Sequence, residues 1–177
     1  MKKAIIFCAI LCCAELAIPK TYDHAPTSYV QKQAVLNYAH QVAKRDGHHP
    51  NLVKGIILQE SDAGQDPKMN SHPAYFGVGQ IKIVAAKDVL ETYPSIQRKY
   101  NITSNSVLKD KLKHDAKFNV DVVSKYLEIL QDRYKLRGIR LVEGYNKGPN
   151  AVKHVQQFPY ARAIQRKLAE NGTTIPW

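Results

Sequence analysis

Apolar residues recur at helical spacing from residue 28 onward. The first pattern begins at Ser28 and stops at Asp46-Gly47, with its apolar positions at Val30, Ala34, Val35, Tyr38, Ala39 and Val42. Steps of three and four residues place these side chains on one side of a helix. The pattern predicts a first helix that packs on the core and ends at the glycine.

The second pattern includes an acid among its apolar positions. After Pro50, which suits a first helical turn, positions i, i+3, i+4 and i+7 are Val53, Ile56, Ile57 and Glu60. Two interpretations follow. Glu60 either lies at a helix end in water, or it is a carboxyl group whose pKa is raised by apolar surroundings, so that it can act as a general acid.

The rest of the chain is also mostly helical in its pattern. Further helices are predicted at residues 83–90, 115–130, 139–145, 151–155 and 160–169. Residues 61–75 lack a period and are rich in turn-forming residues, which predicts a loop. Residues 93–105 are polar and turn-like, which predicts a surface connection without a function.

These elements predict a mainly α fold with one domain at residues 28–177. A chain of 177 residues with 44% hydrophobic content can bury one sizeable core but not two. Strands are scarce, although the loop at residues 64–78 leaves room for a small β element.

The first 17 residues have the pattern of a secretory signal peptide. Lys2 and Lys3 precede an apolar run, and small residues at Ala14 and Ala17 suit cleavage. The run has about 10 apolar residues, whereas a membrane-spanning helix needs roughly 20. We therefore expect residues 1–17 to be removed on export and residues 18–27 to form a linker.

The cysteines and the charge support an exported protein with an anionic target. Cys8, Cys12 and Cys13 all lie in the predicted leader, which excludes disulfides and cysteine catalysis in the mature chain and leaves only lipid modification as an alternative. The net charge is +11, and +9 after a cut at Ala14. Charge alone fits a wall polymer, a membrane surface or nucleic acid, but export favours the wall or membrane, so no nucleic acid is expected.

Two glycine-containing stretches carry neutral polar side chains. Gln80 lies in the sequence GVGQI of residues 77–81, and Tyr145 and Asn146 lie in GYNKGP of residues 144–149. Glycine allows close backbone approach, and neutral hydrogen-bonding groups suit a sugar. Taken singly, Gln80 could be a loop cap and the Tyr-Asn pair an ordinary helix end. No histidine pair or acidic loop suits a metal, so we predict neither metal nor cofactor.

Taken in order, these motifs resemble the soluble lytic transglycosylase family. That family carries ES, GLMQ, AYNAG and a late tyrosine, which here correspond to Glu60-Ser61, residues 77–80, residues 144–148 and Tyr160. The resemblance spans residues 31–168. Gly79 stands where the family usually has Met, and Gly144 and Lys147 stand where it has Ala, which puts substrate packing in doubt more than catalysis.

The resemblance implies a lysozyme-like fold and cleavage of the β-1,4 bond between N-acetylmuramic acid and N-acetylglucosamine in peptidoglycan. Glu60 would be the catalytic residue and would form a 1,6-anhydro ring on the muramic acid without water. The residues that would bind the substrate or position the acid are Ser61, Ser71, Gln80, Tyr145, Asn146 and Tyr160.

Alternatives remain open within this resemblance. Asp62 or Asp66 could support hydrolysis, which would make the protein a muramidase, and the departures at Gly79 and Lys147 leave room for a catalytically weak wall-binding scaffold. We expect a monomer, and the leader places it in the periplasm or cell envelope. Similar small enzymes serve secretion or conjugation machines, phage entry or wall remodelling. Of these roles we favour local opening of the wall for a secretion or conjugation machine, which would then be a partner.

Overall fold

The computed structural model describes residues 29–177, so the predicted leader and linker lie outside the described residues. The helices are α1 (Tyr29–Arg45), α2 (Asn51–Ser61), α3 (Ile83–Thr92), α4 (Pro94–Lys99), α5 (Asn105–His114), α6 (Ala116–Asp132), α7 (Gly138–Lys147) and α8 (Pro159–Glu170). Two short 3₁₀ segments are Asp62–Gly64 and Ala151–His154, and two short strands are β1 (Tyr75–Phe76) and β2 (Ile81–Lys82). The prediction of a mainly α fold is confirmed.

Helix α2 lies at the centre of the core. It packs against α1, α6 and α8, and Val53, Ile56 and Ile57 are completely buried. Gly55 lets α8 approach closely, because a Cβ atom at this position would lie only 2.6 Å from Ile164 Cγ2. The close packing places the last turn of α2, and with it Glu60, beside the start of α8.

Helix α6 connects α1 and the α4 region through a buried carboxylate. Asp121 is fully buried and accepts hydrogen bonds from the hydroxyl groups of Tyr38 and Tyr100. It also pairs with Arg45 at 3.2 Å and Lys99 at 2.8 Å. A buried charge is tolerated when it is paired and hydrogen-bonded in this way.

Two helices lie in places where the sequence pattern showed none. The predicted connection at residues 93–105 is wrong in part, because α4 begins with Pro94 in its first turn and buries Ile96. Helix α5 follows, with the Ser104 side chain accepting from the Val107 N–H. Both helices turn few residues toward the core, so their periods are too short to recognise.

The first helix is also longer than its buried face. Val30 was predicted to face the core but is 75% exposed, whereas Val35, Ala39 and Ala43 are completely buried. The first turn of α1 therefore extends past the core. None of the helices in residues 29–177 has the length and apolar composition that crossing a membrane requires.

The predicted β element is a two-stranded antiparallel hairpin at the edge of the core. Tyr75 pairs with Lys82 and Phe76 pairs with Ile81. Residues 77–80 form the turn between the strands and pack toward α6. The hairpin thus brings the first glycine-containing stretch close to the end of α2.

Candidate active site

A cleft of about 380 Å³ opens between the end of α2, the hairpin, α3, α6 and α7. Such a volume lies within the range of small-molecule sites. Its lining residues include Glu60, Tyr75, Gln80, Lys82, Val84, Asp88, Tyr126, Tyr134, Tyr145 and Asn146. Polar amides, aromatic rings and the carboxyl groups of Glu60 and Asp88 line the cleft.

The environment of Glu60 favours the protonated carboxyl group. Burial against the apolar core raises its pKa to about 7 from the usual 4.5, because the charged form loses solvation. Tyr160 of α8 donates its phenol hydrogen to Glu60 Oε1, and this bond acts in the opposite direction on the pKa. Burial and the charge of Glu60 hold the pKa of Tyr160 well above 10, so the phenol keeps its proton.

The residues after Glu60 fix the end of α2. Ser61 is buried, donates from Oγ to Val78 O at 2.7 Å and accepts from the Gly64 N–H at 2.9 Å. Asp62 has a left-handed φ of 50° and pairs with Lys32 at 2.7 Å. Ser61 therefore links the last turn of α2 to the hairpin turn.

A buried amide on α6 holds the other side of the hairpin turn. Asn119 accepts from the Gly79 N–H at 2.8 Å, and its Nδ2 donates to Phe76 O at 2.8 Å and Leu112 O at 2.9 Å. Gln80 follows with a positive φ and donates from Nε2 to Gly77 O at 2.7 Å. The turn therefore keeps a fixed shape where it borders the cleft.

The second glycine-containing stretch reaches the same turn from α7. Tyr145 donates to Gly79 O at 2.6 Å, and its ring contacts the edge of Tyr126. Burial and, to a smaller extent, the charge of Glu60 raise the pKa of Tyr145, so its hydroxyl remains a donor. Asn146 follows it, exposed on the wall of the cleft.

The structure brings most of the predicted site residues together. The cleft is lined by Glu60, Gln80, Tyr145 and Asn146. Tyr160 is not among the lining residues but donates a hydrogen bond to Glu60. Ser61 lies below the cleft and makes the structural bonds given above. Ser71 is exposed in the loop before β1 and is not among the lining residues, so its role stays a prediction.

Sequence reasoning missed Asn119 and the aromatic residues at the far end of the cleft. Asn119 occurs among apolar residues on α6, and this polar residue on a core-facing surface was the available signal. Tyr75, Tyr126 and Tyr134 carry no motif, and only the fold shows that they line one cleft.

The other carboxylates near the cleft have partners of their own. Asp88 is the second carboxylate on the cleft wall, and Arg133 binds both its oxygens at 2.8 Å. Asp62 and Asp66 are not among the lining residues. Within residues 29–177, no cluster of three or more His, Cys, Asp or Glu could hold a metal ion.

Two of the unusual glycines reflect close packing around the turn and α7. A Cβ atom at Gly79 would lie 2.3 Å from Val123 Cγ2 and 3.3 Å from the Tyr145 hydroxyl oxygen. At Gly144 it would lie 2.4 Å from Leu136 Cδ1, a flexible side-chain end. Lys147 is exposed in the last turn of α7, outside the lining of the cleft. The neighbours of Gly79 leave no room for a side chain at this position.

A protein-family model described as the transglycosylase SLT domain matches residues 37–168. The match covers well over half of the chain and includes Glu60, Gln80, Tyr145, Asn146 and Tyr160. A search of curated proteins finds no match.

Proposed function

Because the chain belongs to the transglycosylase SLT domain family, whose members typically cleave glycosidic bonds of peptidoglycan, we propose that it is a lytic transglycosylase. The bond cleaved is the β-1,4 bond between N-acetylmuramic acid and N-acetylglucosamine, and the product ends in 1,6-anhydro-muramic acid. The observation that carries this proposal is Glu60, a cleft acid with a pKa of about 7 and a phenol partner.

The proposed reaction uses Glu60 first as an acid and then as a base. Its carboxyl group gives a proton to the glycosidic oxygen, so the bond to the anomeric carbon breaks and the N-acetylglucosamine leaves as an alcohol. The resulting carboxylate then takes the proton of the muramic acid C6 hydroxyl, whose oxygen bonds to the anomeric carbon. Glu60 returns to its protonated form, and water is not consumed.

The surroundings of Glu60 favour this internal reaction over hydrolysis. Most glycosidases need a second carboxylate as a nucleophile or as a base for water. Asp88 lines the cleft but is bound by Arg133, while Asp62 pairs with Lys32. An internal hydroxyl nucleophile removes the need for such a second group.

The cleft wall suits a sugar chain. Gln80 and Asn146 carry amide groups that can bond N-acetyl and hydroxyl groups, and the rings of Tyr126 and Tyr134 offer apolar surface. An apolar wall with a few directed polar groups is the usual composition of a ligand site.

Export and a machine-associated role are further parts of the proposal. The leader-like residues 1–17 support export to the periplasm or envelope, where the peptidoglycan lies. We expect the exported protein to begin after Ala14 or Ala17, and an intact mass that still includes the leader would contradict export. The small single domain supports local wall opening for a secretion or conjugation machine. Normal secretion or conjugation in cells whose only copy of this protein carries Glu60→Gln would contradict that role.

Mass spectrometry of the soluble products from purified peptidoglycan tests the reaction itself. The wild type should release anhydro-muropeptides, Glu60→Gln should release none, and Glu91→Gln, an exposed acid on α3 outside the cleft, should behave as the wild type. Reducing ends in place of anhydro ends would identify a muramidase. An absence of products from folded wild-type protein would favour the wall-binding scaffold.

A further inference from the structure

Glu143 is a completely buried acid that does not line the cleft. It lies on α7, two residues before Tyr145. Its Oε1 accepts a hydrogen bond from the Ala161 N–H of α8 at 3.0 Å, while Oε2 has no partner among the described residues. A buried carboxylate with one unbonded oxygen destabilises the fold compared with a fully satisfied group. Glu143 therefore needs an explanation other than stability.

Helix α8 lacks a cap from its own sequence. The residue before it is Phe158, which provides no side-chain acceptor, and Pro159 at its first position has no N–H. The first backbone N–H groups of a helix need acceptors from outside, and a negative charge near them is favourable. Glu143 supplies the acceptor for the Ala161 N–H, so a residue of α7 caps α8.

The capped turn contains the partner of the catalytic acid. Tyr160 immediately precedes Ala161, is almost completely buried, and donates its phenol hydrogen to Glu60 Oε1. The backbone position of Tyr160 therefore depends on the bond that Glu143 makes one residue later. The neighbouring Tyr145, on the same helix as Glu143, bonds Gly79 O in the hairpin turn.

We propose that Glu143 is a positioning residue, which holds the first turn of α8 so that the Tyr160 phenol stays bonded to Glu60. The role in the reaction rests on the proposed function, but the hold on Tyr160 does not. Loss of the Glu143 oxygen frees the Ala161 N–H and lets the first turn of α8 shift. The phenol then moves away from Glu60, and the acid loses its only side-chain donor among the described residues.

The consequence for Glu60 has a definite sign. Because the Tyr160 hydrogen bond lowers the pKa of Glu60, weakening that bond raises the pKa above its present value of about 7. Other titratable groups near this end of α2 are Lys32, Asp62, Lys82, Asp88 and Tyr145. Substitution of Glu143 leaves all of these residues in place.

Four variants test whether the effect on Glu60 depends on the length of the residue 143 side chain, on its accepting oxygen and on the Tyr160 phenol. Glu143→Ala removes the acceptor, Glu143→Asp keeps the carboxyl group but is one methylene too short to reach the Ala161 N–H, and Glu143→Gln keeps an oxygen at the right distance. Tyr160→Phe removes the phenol itself. Asp121→Asn is the matched control, since it also perturbs a fully buried acid but in a cluster with Tyr38 and Tyr100.

The measurement is the pKa of Glu60, from an NMR titration of protein labelled with ¹³C in the glutamate carboxyl groups. The whole sequence has six glutamates, so the signals can be assigned by substitution. Glu143→Ala and Glu143→Asp should raise the pKa of Glu60 as Tyr160→Phe does, while Glu143→Gln and Asp121→Asn should leave it near that of the wild type. Glu143→Ala combined with Tyr160→Phe should give the same pKa as Tyr160→Phe alone.

Kinetics on peptidoglycan give the second readout. We expect Glu143→Ala to lower kcat by up to about 100-fold with little change in KM, because a displacement of about 1 Å can cost that much. Glu143→Gln should restore most of the loss. If Glu143→Ala fails to fold, Glu143→Asp carries the same prediction.

The outcomes separate this inference from the proposed function. An unchanged Glu60 pKa in Glu143→Asp, or additive shifts in the double variant, would overturn the positioning role. The titration uses no substrate, so it stands even if the wild type releases no anhydro product. In that case the proposed function is wrong, but the titration still shows whether Glu143 positions Tyr160.

Discussion

Glu60 combines two features that the sequence presented as alternatives. It lies in the last turn of α2 and borders an open cleft, yet the apolar core desolvates most of its carboxyl group and raises its pKa to about 7. A residue at this boundary can contact a substrate and still carry a proton at neutral pH. The helical spacing indicated the burial, but the phenol of Tyr160 could not be located without the fold.

The raised pKa gives Glu60 a pH-dependent effect on stability. Between about pH 4.5 and 7 the folded protein holds a proton that the unfolded chain has released, so the free energy of unfolding falls as pH rises through this window. Glu60→Gln removes this titratable group, so its free energy of unfolding does not fall in this way. We therefore expect the difference in the free energy of unfolding between the variant and the wild type to increase by about 3 kcal/mol, in favour of the variant, from pH 4.5 to pH 8.

Urea unfolding of both proteins at several pH values measures this gain. Glu91→Gln serves as the control, because an exposed acid should show no comparable change. A constant difference between wild type and Glu60→Gln across the window would mean that Glu60 has an ordinary pKa.

Single polar residues inside apolar patterns mark the limit of prediction at this scale. Ordered motifs made it possible to recognise four candidate site residues from the sequence: Glu60, Gln80, Tyr145 and Asn146. Asn119 and Glu143 have no motif, and their roles depend on which backbone groups of other elements reach them. Those groups are 40 and 18 residues away in sequence, a distance that local spacing cannot bridge.

At the scale of elements, the hairpin turn depends on glycine more than any helix does. Gly77 has a φ of 67°, and a Cβ atom there would lie 2.0 Å from Leu112 O and 2.3 Å from Asn119 Nδ2. Gly47 has a similar φ of 74° but no atom within 4 Å of a Cβ position. Substitutions at Gly47 and Gly77 therefore distinguish the free-energy cost of a left-handed backbone conformation from the cost of steric crowding.

We expect Gly47→Ala to lower the free energy of unfolding by about 1 kcal/mol, the cost of a left-handed conformation. Gly77→Ala should lower it by about 3 kcal/mol or more, because steric overlap with the α5 backbone adds to that cost. Urea unfolding measures both. Equal effects of the two substitutions would show that the turn can move away from the α5 backbone.

The helices were predictable in proportion to the surface they bury. α2 and α6 bury many apolar residues and gave clear periods, whereas α4 buries only Ile96 and α5 buries Leu108 and Leu112. Caps such as Ser104 and Asp115 fix the ends of α5 and α6 through side-chain acceptors. Such caps act locally but are difficult to separate from ordinary turn residues in sequence.

At the scale of the whole molecule, the excess of basic residues favours binding to an anionic polymer such as the proposed substrate. The net charge is +11. Arg162 and Arg166 are exposed on α8 and have no acidic partner in the part of the chain that the structure describes. Exposed charges of one sign attract a polyanion over distances set by the ionic strength.

We expect binding to insoluble peptidoglycan to weaken by about tenfold between roughly 0.01 M and 1 M salt, as the Debye length falls from about 30 Å to about 3 Å. Sedimentation of Glu60→Gln with the polymer measures binding without digestion. Arg162→Gln combined with Arg166→Gln should bind more weakly at low salt and match the parent at high salt. Binding that does not change with salt would contradict an electrostatic contribution.

The hydrogen bond between Tyr160 and Glu60 joins residues 100 positions apart. A ribosome makes the acid long before it makes the phenol, and α8 must dock on α2 and α7 before the pair can form. A nascent or prematurely terminated chain that ends before residue 159 therefore has an incomplete site. The contact between the acid and the phenol is therefore completed only when the last helix has folded into place.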